Sequence, residues 1–380
     1  MPNLEKAGRE TIVVGMSGGV DSAVAALLLT RAGFDVHGLY MSNWDDDDDY
    51  CTDAQDFQDA RATAGELGIP LHRVSFAEQY RARVFDYFLT EYRAGRTPNP
   101  DVLCNREIKF GVCLDYAARL GARRFATGHY ARLVQSAEGP QLHKASDADK
   151  DQSYFLHAVD GEHFEHVLFP LGELRKSEVR TLAREAGLPV FDKPDSTGIC
   201  FIGERPFREF LQRYIPTTPG DIVTETGEIV GQHRGLAFYT LGQRGGLEIG
   251  GRSGKSEDAW YVAAKDLAHN QLVAVQGNDH PLLSSRALLT GPCNWLVQPA
   301  SPDFHSCIKV RYRQSDQTCH ATIGRDGSVE VRFMEPQRAV TPGQFAVFYD
   351  GDRCLGGGVI ERTWPHVGRS PHDLRNASVG

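Results

Sequence analysis

The sequence has no C-x-x-C pair, no Walker lysine, no long apolar run and no excess of positive charge. Its cysteines, at 51, 104, 113, 200, 293, 307, 319 and 354, fall in no zinc-ribbon spacing, and no metal-ligating set is assigned. No apolar stretch reaches the ~20 residues that a membrane helix needs. The start, "MPNLEKAGRE", lacks the apolar core of a signal peptide and the Arg/Ser bias of a transit peptide. The expectation is a cytoplasmic protein with no membrane partner and mostly reduced thiols. A net charge of −9 argues against a generic nucleic-acid binder. The charge is uneven, however: residues 286–380 carry 11 Lys and Arg against 9 Asp and Glu. A weakly basic C-terminal part leaves room for a local RNA patch.

The 380 residues suffice for two or three domains. "ETIVVGM" reads as a buried strand, "DSAVAALLLTRAG" as a helix stopped by Gly33, and "FDVHGLYM" as a second strand. "AQDFQDARATAGELG", "EQYRARVFDYFLTEYRAG" and "REIKFGVCLDYAARLG" read as helices, with "LHRVSF" and "RRFATGHYARL" as strands. Strands alternating with helices predict a parallel sheet, with ligands beyond its C-terminal strand ends. From Pro216 the pattern changes to short alternating strands with Gly, Pro and Asp-Gly turns. The expected fold class is therefore an N-terminal α/β domain over 1–215, a small β-rich domain over 216–285 and a β-barrel over 286–365, with a disordered tail at 366–380.

One turn carries the chemistry. In "VVGMSGGVDSAVAALLL", from Val13, a buried strand runs into a glycine pair and then a helix. Gly18 and Gly19 let backbone N–H groups approach an anion, Ser17 and Ser22 supply hydroxyls, and the helix directs its positive end there. The spacing is neither Walker A nor a Rossmann fingerprint.

"SGGVDS" resembles the signature of the PP-loop ATP pyrophosphatases, which have an adenine nucleotide alpha hydrolase-like fold. GMP synthetase, NAD synthetase and argininosuccinate synthase share that turn. Other segments are similar to the tRNA 2-thiouridylases: "AGRTPNPDVLCNREIKF" at 94–110, "ATGHYAR" at 126–132, "KDQSYFL" at 150–156, "DSTGICFIGE" at 195–204 and "YTLGQRGGL" at 239–247. "RYRQ" at 311–314, "TPGQFAVFY" at 341–349 and "CLGGGVIE" at 354–361 extend the likeness to Glu361.

The resemblance implies ATP with Mg2+ as the nucleotide. It implies a tRNA with a wobble uridine as partner (the Lys, Glu and Gln acceptors), and a protein that donates persulfide sulfur. Uridine would be adenylated on its C2 oxygen, which sulfur then replaces. Nucleotide contacts carry over to Gly15, Met16, Ser17, Gly18, Gly19, Val20, Asp21 and Ser22, with Met41 near adenine and Gly128 at a strand end. Asn99, Pro100 and Asp101 match the base-reading segment. His129, Lys150, Asp151, Gln152, Arg311, Tyr312 and Gln344 match tRNA contacts. Cys200 would carry the persulfide and Cys104 would attack it, closing a disulfide. Both cysteines are expected in loops. A competing reading joins them with Asp101 in an iron–sulfur site.

The remaining features have plainer readings. Cys113, Cys307, Cys319 and Cys354 read as core thiols, and Asp45–Asp49 as a solvated loop. In "KVRYR", alternation would put Lys309, Arg311 and Arg313 on one strand face.

Overall fold

The computed structural model describes residues 10–44, 53–195, 207–249 and 258–365. Its N-terminal sheet is parallel, in the order β3 (Leu71–Ser75), β2 (Asp35–Ser42), β1 (Thr11–Gly15), β4 (Arg124–Ala126) and the short strand Val167–Leu168. Val13 faces one apolar cluster, and Ile12 and Val14 the other. All three are fully buried, which is why β1 is an unbroken apolar run rather than an alternating one. Helix α1 (Val20–Arg31) follows, with eight of its residues buried. Gly33, at φ +88°, turns the chain back towards β2.

Two expected helices form with wide π-helical stretches inside them. The first spans 77–93, with its wide turn at Arg81–Phe85. Its aromatic stripe, Tyr80, Phe85, Phe88 and Tyr92, is core. The second begins six residues before its expected start, at Pro100, and is π-helical over Cys104–Val112. Proline suits a first helical position, and the Asn99 side chain caps the Asp101 N–H at 3.2 Å. Cys104 therefore lies in a helix, not in a loop.

"RRFATGHYARL" is not one strand. It pairs in the parallel sheet only at Arg124–Ala126. Gly128 then packs so tightly on α1 that a Cβ there would lie 2.7 Å from the backbone of Asp21 and Ser22. Beyond that crossing, Arg132–Ser136 forms a hairpin with Gly139–His143. The hairpin joins the C-terminal sheet through Arg353 and His143.

That C-terminal sheet is a closed barrel. Its strands run Ser284–Thr290, Val329–Arg338, Gln317–Ile323, Asp303–Lys309, Phe345–Asp350 and Arg353–Pro365, and the last pairs with the first. Between the two domains lies a four-stranded sheet ordered Trp260–Asp266, Gln271–Gln276, Gly220–Val223, Ile229–His233. The expected α/β-then-all-β class is what forms. "KVRYR" is corrected. The strand ends at Lys309, Arg311–Arg313 form a turn, and Arg313 has φ +62°. Lys309 points inward to Asp151, at 3.5 Å.

The α/β domain and the barrel share a buried seam. Tyr154 donates to the Phe345 carbonyl at 3.0 Å, and Asn294 to those of His157 and Val159 at 2.8 and 3.1 Å. His157 is fully buried there, with Nδ1 2.7 Å from the Tyr154 carbonyl. Burial pushes its imidazole down from 6.5 to about 4. Between those values the unfolded chain binds a proton that the folded chain refuses, so stability falls as pH drops through that window. Acidification from 6.5 to 4 should cost up to about 3 kcal/mol at this residue. His157→Gln should flatten that part of the slope in urea melts taken across the range. An unchanged slope would mean that His157 is not the group titrating.

Candidate active site

The turn after β1 is preorganised by its own hydroxyls. Ser22 Oγ accepts from the Ser17 N–H at 3.2 Å, lies 3.2 Å from Ser17 Oγ, and donates to the Gly19 carbonyl at 3.0 Å. The two glycines have different reasons. Gly18 has φ +75°, and a Cβ there would sit 2.3 Å from the Asp56 carbonyl oxygen, so packing against the next helix already forbids a side chain. A Cβ at Gly19 would meet only Ser17 Oγ, at 3.5 Å. Gly19 is therefore the residue whose bareness leaves space at the start of α1. That helix has no side-chain cap there, so its first N–H groups remain available to an anion.

Walker A would supply a lysine within such a turn; here it comes from afar. Lys176 Nζ donates to both Asp21 oxygens, at 2.7 and 2.8 Å, and lies 2.8 Å from Asp195. Tyr130 donates to Asp21 at 2.8 Å. Burial and then Asp21 raise the Tyr130 phenol, so it stays protonated. Asp195 also receives Lys150 at 2.7 Å and Arg180 at 2.9 Å. Burial alone would raise the Asp195 carboxyl, but the lysine hydrogen bonds outweigh it and hold it at about 2. Behind the turn, Lys193 donates to the Gly18 carbonyl at 3.1 Å and pairs with Asp56 and Asp59. The result is a ring of cations and carboxylates over one anion-ready helix start. "LRKSEVR" contains the signal for Lys176 and Arg180, but sequence spacing alone does not connect residue 176 with residue 21.

A second group of side chains lies where the α/β domain meets the barrel. Thr97 N–H donates to the Pro342 carbonyl at 3.0 Å, and Gln344 Nε2 donates to the Thr97 carbonyl at 2.9 Å. Asn99 Nδ2 is 3.5 Å from Gln344 Oε1, across 245 positions. A Cβ at Gly343 would lie 2.8 Å from the Thr97 nitrogen. The barrel thus grips the loop leading into Cys104. One residue on, Asn105 donates to the Phe155 carbonyl at 3.1 Å, and the Phe155 ring packs at a tilt against Tyr312, 4.4 Å between centroids. Cys104 itself is 1% exposed.

The comparisons agree across all three sheets. Residues 10–204 match the tRNA methyl transferase HUP domain family, 208–276 the tRNA methyl transferase PRC-barrel domain, and 285–360 the aminomethyltransferase beta-barrel domain. The tRNA-specific 2-thiouridylase MnmA of Chromohalobacter salexigens is 56% identical over 93% of this chain and 93% of its own. That of Alcanivorax borkumensis is 56% identical over 95% of this chain and 100% of its own. The chain belongs to the tRNA-specific 2-thiouridylase family. Among solved structures, a U34-tRNA thiolase from Methanococcus maripaludis with its [4Fe-4S] cluster is 17% identical over 54% of this chain and 64% of its own. Its TM-score is 0.35.

For a thiouridylase, two groups gather many of the sequence-expected residues. Those of the turn, Gly15 to Ser22, cluster with Gly128. Asn99, Pro100, Asp101, Gln344 and Tyr312 gather at the seam with the barrel. Lys150 lies with the cation ring instead. Asp151 is 5% exposed, and its carboxylate accepts from the N–H groups of Ala145 and Ser153, each at 3.1 Å. Gln152 bonds the Tyr130 backbone through its side chain, at 2.9 Å. His129 is buried, 2.7 Å from Thr127 Oγ1. Burial, with Lys109 nearby, pushes its imidazole well down and keeps it neutral. Met41 is half-buried at the end of β2, its sulfur 3.1 Å from the Cys113 thiol. Burial raises Asp101 against a weaker downward pull from Lys109.

The core reading holds for Cys113, Cys319 and Cys354, which are fully buried, while Cys307 is only partly covered. Cys200, the tail and the Asp45–Asp49 run lie outside the described residues. Among the described residues, no cluster of three His, Cys, Asp or Glu could hold a metal ion, and no helix is long and apolar enough to cross a membrane.

Proposed function

We propose that the chain thiolates the wobble uridine (position 34) of tRNA at C2, consuming ATP and releasing AMP and pyrophosphate. The observation that carries this reading is identity of 56% with thiouridylases over nearly the whole of both chains. The site supports it. The open start of α1 and Lys176 suit the phosphates of ATP, and Asp21 suits a magnesium ion, which would screen phosphate charge. The uridine C2 oxygen attacks the α-phosphorus and pyrophosphate leaves. The oxygen then departs as AMP when sulfur attacks C2. A stacked base cannot reach such a cleft, so position 34 must be splayed from the anticodon stack. Asn99, Pro100 and Asp101, clamped by Gln344, suit that base. Asp101 lies in the same segment, its carboxyl raised by burial. The remaining tRNA contacts assigned by resemblance, His129, Lys150, Asp151, Gln152, Arg311 and Tyr312, belong to the same proposal, as does Met41 beside adenine.

Sulfur arrives from a donor protein as a persulfide on Cys200. Its terminal sulfur bonds to C2 while the Cys104 thiolate takes the Cys200 sulfur, so the sulfane sulfur is reduced and the two thiols are oxidised to a disulfide. A thiol reductant restores both. The substrates proposed are the tRNAs for Lys, Glu and Gln, and the proposed setting is the cytoplasm. Pyrophosphate release from ATP that depends on such a tRNA tests the reading. The same tRNA with cytidine at position 34 should be inert, and equal release with it would contradict the reading.

Lys176 gives a second test. With ATP bound, its ammonium would exchange Asp21 for a phosphate oxygen. Lys176→Ala should weaken ATP binding by calorimetry roughly 10- to 100-fold, with Arg restoring part of it. Unchanged affinity would reduce Lys176 to a clamp on Asp21.

A further inference from the structure

We propose that Arg311 and Arg338 together form a phosphate site at the junction of the barrel and the central sheet, and that one backbone phosphate of the tRNA occupies it. This rests on the tRNA reading above and adds a residue, Arg338, and a place to it. The turn carrying Arg311 is built, not loose. The Val310 N–H donates to Gln314 Oε1 at 2.8 Å, Gln314 Nε2 to Gln337 Oε1 at 3.0 Å, and Gln337 Nε2 to Gln317 Oε1 at 2.9 Å. Gln337 is only 7% exposed, so these amides lash the turn to the end of the strand Val329–Arg338. The Arg311 guanidinium then donates to the Arg338 carbonyl.

Arg338 reaches the central sheet. Its guanidinium lies 5.0 Å over the Tyr261 ring, and its Nε donates to the Asn278 carbonyl at 3.2 Å. Its Nη2 is buried with no acceptor. Among the described residues, neither arginine is paired with a carboxylate. Lys309, two residues before Arg311, already pairs with Asp151 and Asp316, and Arg313, two residues after it, lies over the Tyr312 ring. Burial and the neighbouring Arg338 charge both push Arg311 down, as expected of two cations held together without an anion.

A buried Arg338 donor without an acceptor, and an Arg311 guanidinium that reaches the Arg338 backbone and meets no carboxylate among the described residues, leave donors for a ligand's oxygens. Planar, forked donors fit a phosphate better than a single carboxylate oxygen. The location favours RNA over a free anion. Tyr312, packed against Phe155, adjoins one arginine, and six residues after the other comes Gln344, which grips the base-reading loop.

The test is filter binding of wobble-uridine tRNA over a salt series. Arg338→Gln should weaken binding roughly tenfold and reduce the slope of log affinity against log salt by roughly 0.7 to 0.9. Arg338→Lys should keep most of the slope. Arg311→Gln combined with Arg338→Gln should lose less than the product of the single effects, because both serve one phosphate. An unchanged slope in Arg338→Gln, with only a lower unfolding temperature, would make Arg338 a brace between domains and overturn the site. Fully multiplicative effects would overturn the shared phosphate. Failure of the wild-type protein to bind any tRNA would instead sink the thiouridylase reading.

Discussion

Cys104→Ser should accept labelled sulfur on Cys200 yet yield thiolated tRNA at least about 1,000-fold more slowly than wild type. A serine hydroxyl is a poor attacker on a persulfide at neutral pH, and it cannot close the disulfide that takes up the two electrons. The companion Cys200→Ser should still adenylate tRNA but accept no sulfur from the donor. Wild-type enzyme after one turnover without reductant should show a Cys104–Cys200 disulfide by peptide mapping, which needs the two α-carbons within about 7 Å. Because Cys104 is almost wholly buried in a π-helical turn, its alkylation should be slow in the free protein and faster with tRNA bound. A thiolated product from Cys200→Ser would sink the two-thiol assignment. Activity that vanishes when iron is removed under strictly anaerobic conditions would favour the iron–sulfur reading instead.

Asp21→Ala should abolish tRNA-dependent pyrophosphate release, a loss of about 100- to 1,000-fold or more, while the protein stays folded. The fold should survive because Lys176 keeps Asp195 as a partner, at 2.8 Å, and Tyr130 stays anchored through its backbone bonds to Gln152. What is lost is the carboxylate between the phosphate turn and the lysine. Adenylation at a normal rate in Asp21→Ala would remove the turn from the chemistry.

Most of this architecture was legible in the sequence because local pattern and tertiary role coincide there. β1 is apolar throughout since both of its faces are covered, and Val329–Phe333 alternates since one face is, whereas Phe345–Tyr349 is buried on both faces like β1. Legibility failed where a residue answers to a distant neighbour. "KVRYR" alternates like a strand, but Gln314 and Gln337 capture the chain after Lys309 and bend it into a turn. "RRFATGHYARL" breaks where Gly128 meets α1. Cys104 joins a helix because Asn99 and Pro100 start one. The glycines of the phosphate turn were visible, but not that Gly18 is demanded by the Asp56 backbone and only Gly19 leaves open space. The link from Lys176 to the turn was hidden for the same reason: its partner lies 155 positions away.

The most direct measurement supplies ATP, a sulfur-labelled persulfide donor and a wobble-uridine tRNA, then digests the RNA and identifies the labelled nucleoside by mass spectrometry while AMP and pyrophosphate are counted. The expected result is label only in 2-thiouridine from position 34, with one AMP and one pyrophosphate for each sulfur. Sulfur appearing without ATP cleavage, or on any other atom or nucleoside, would contradict it.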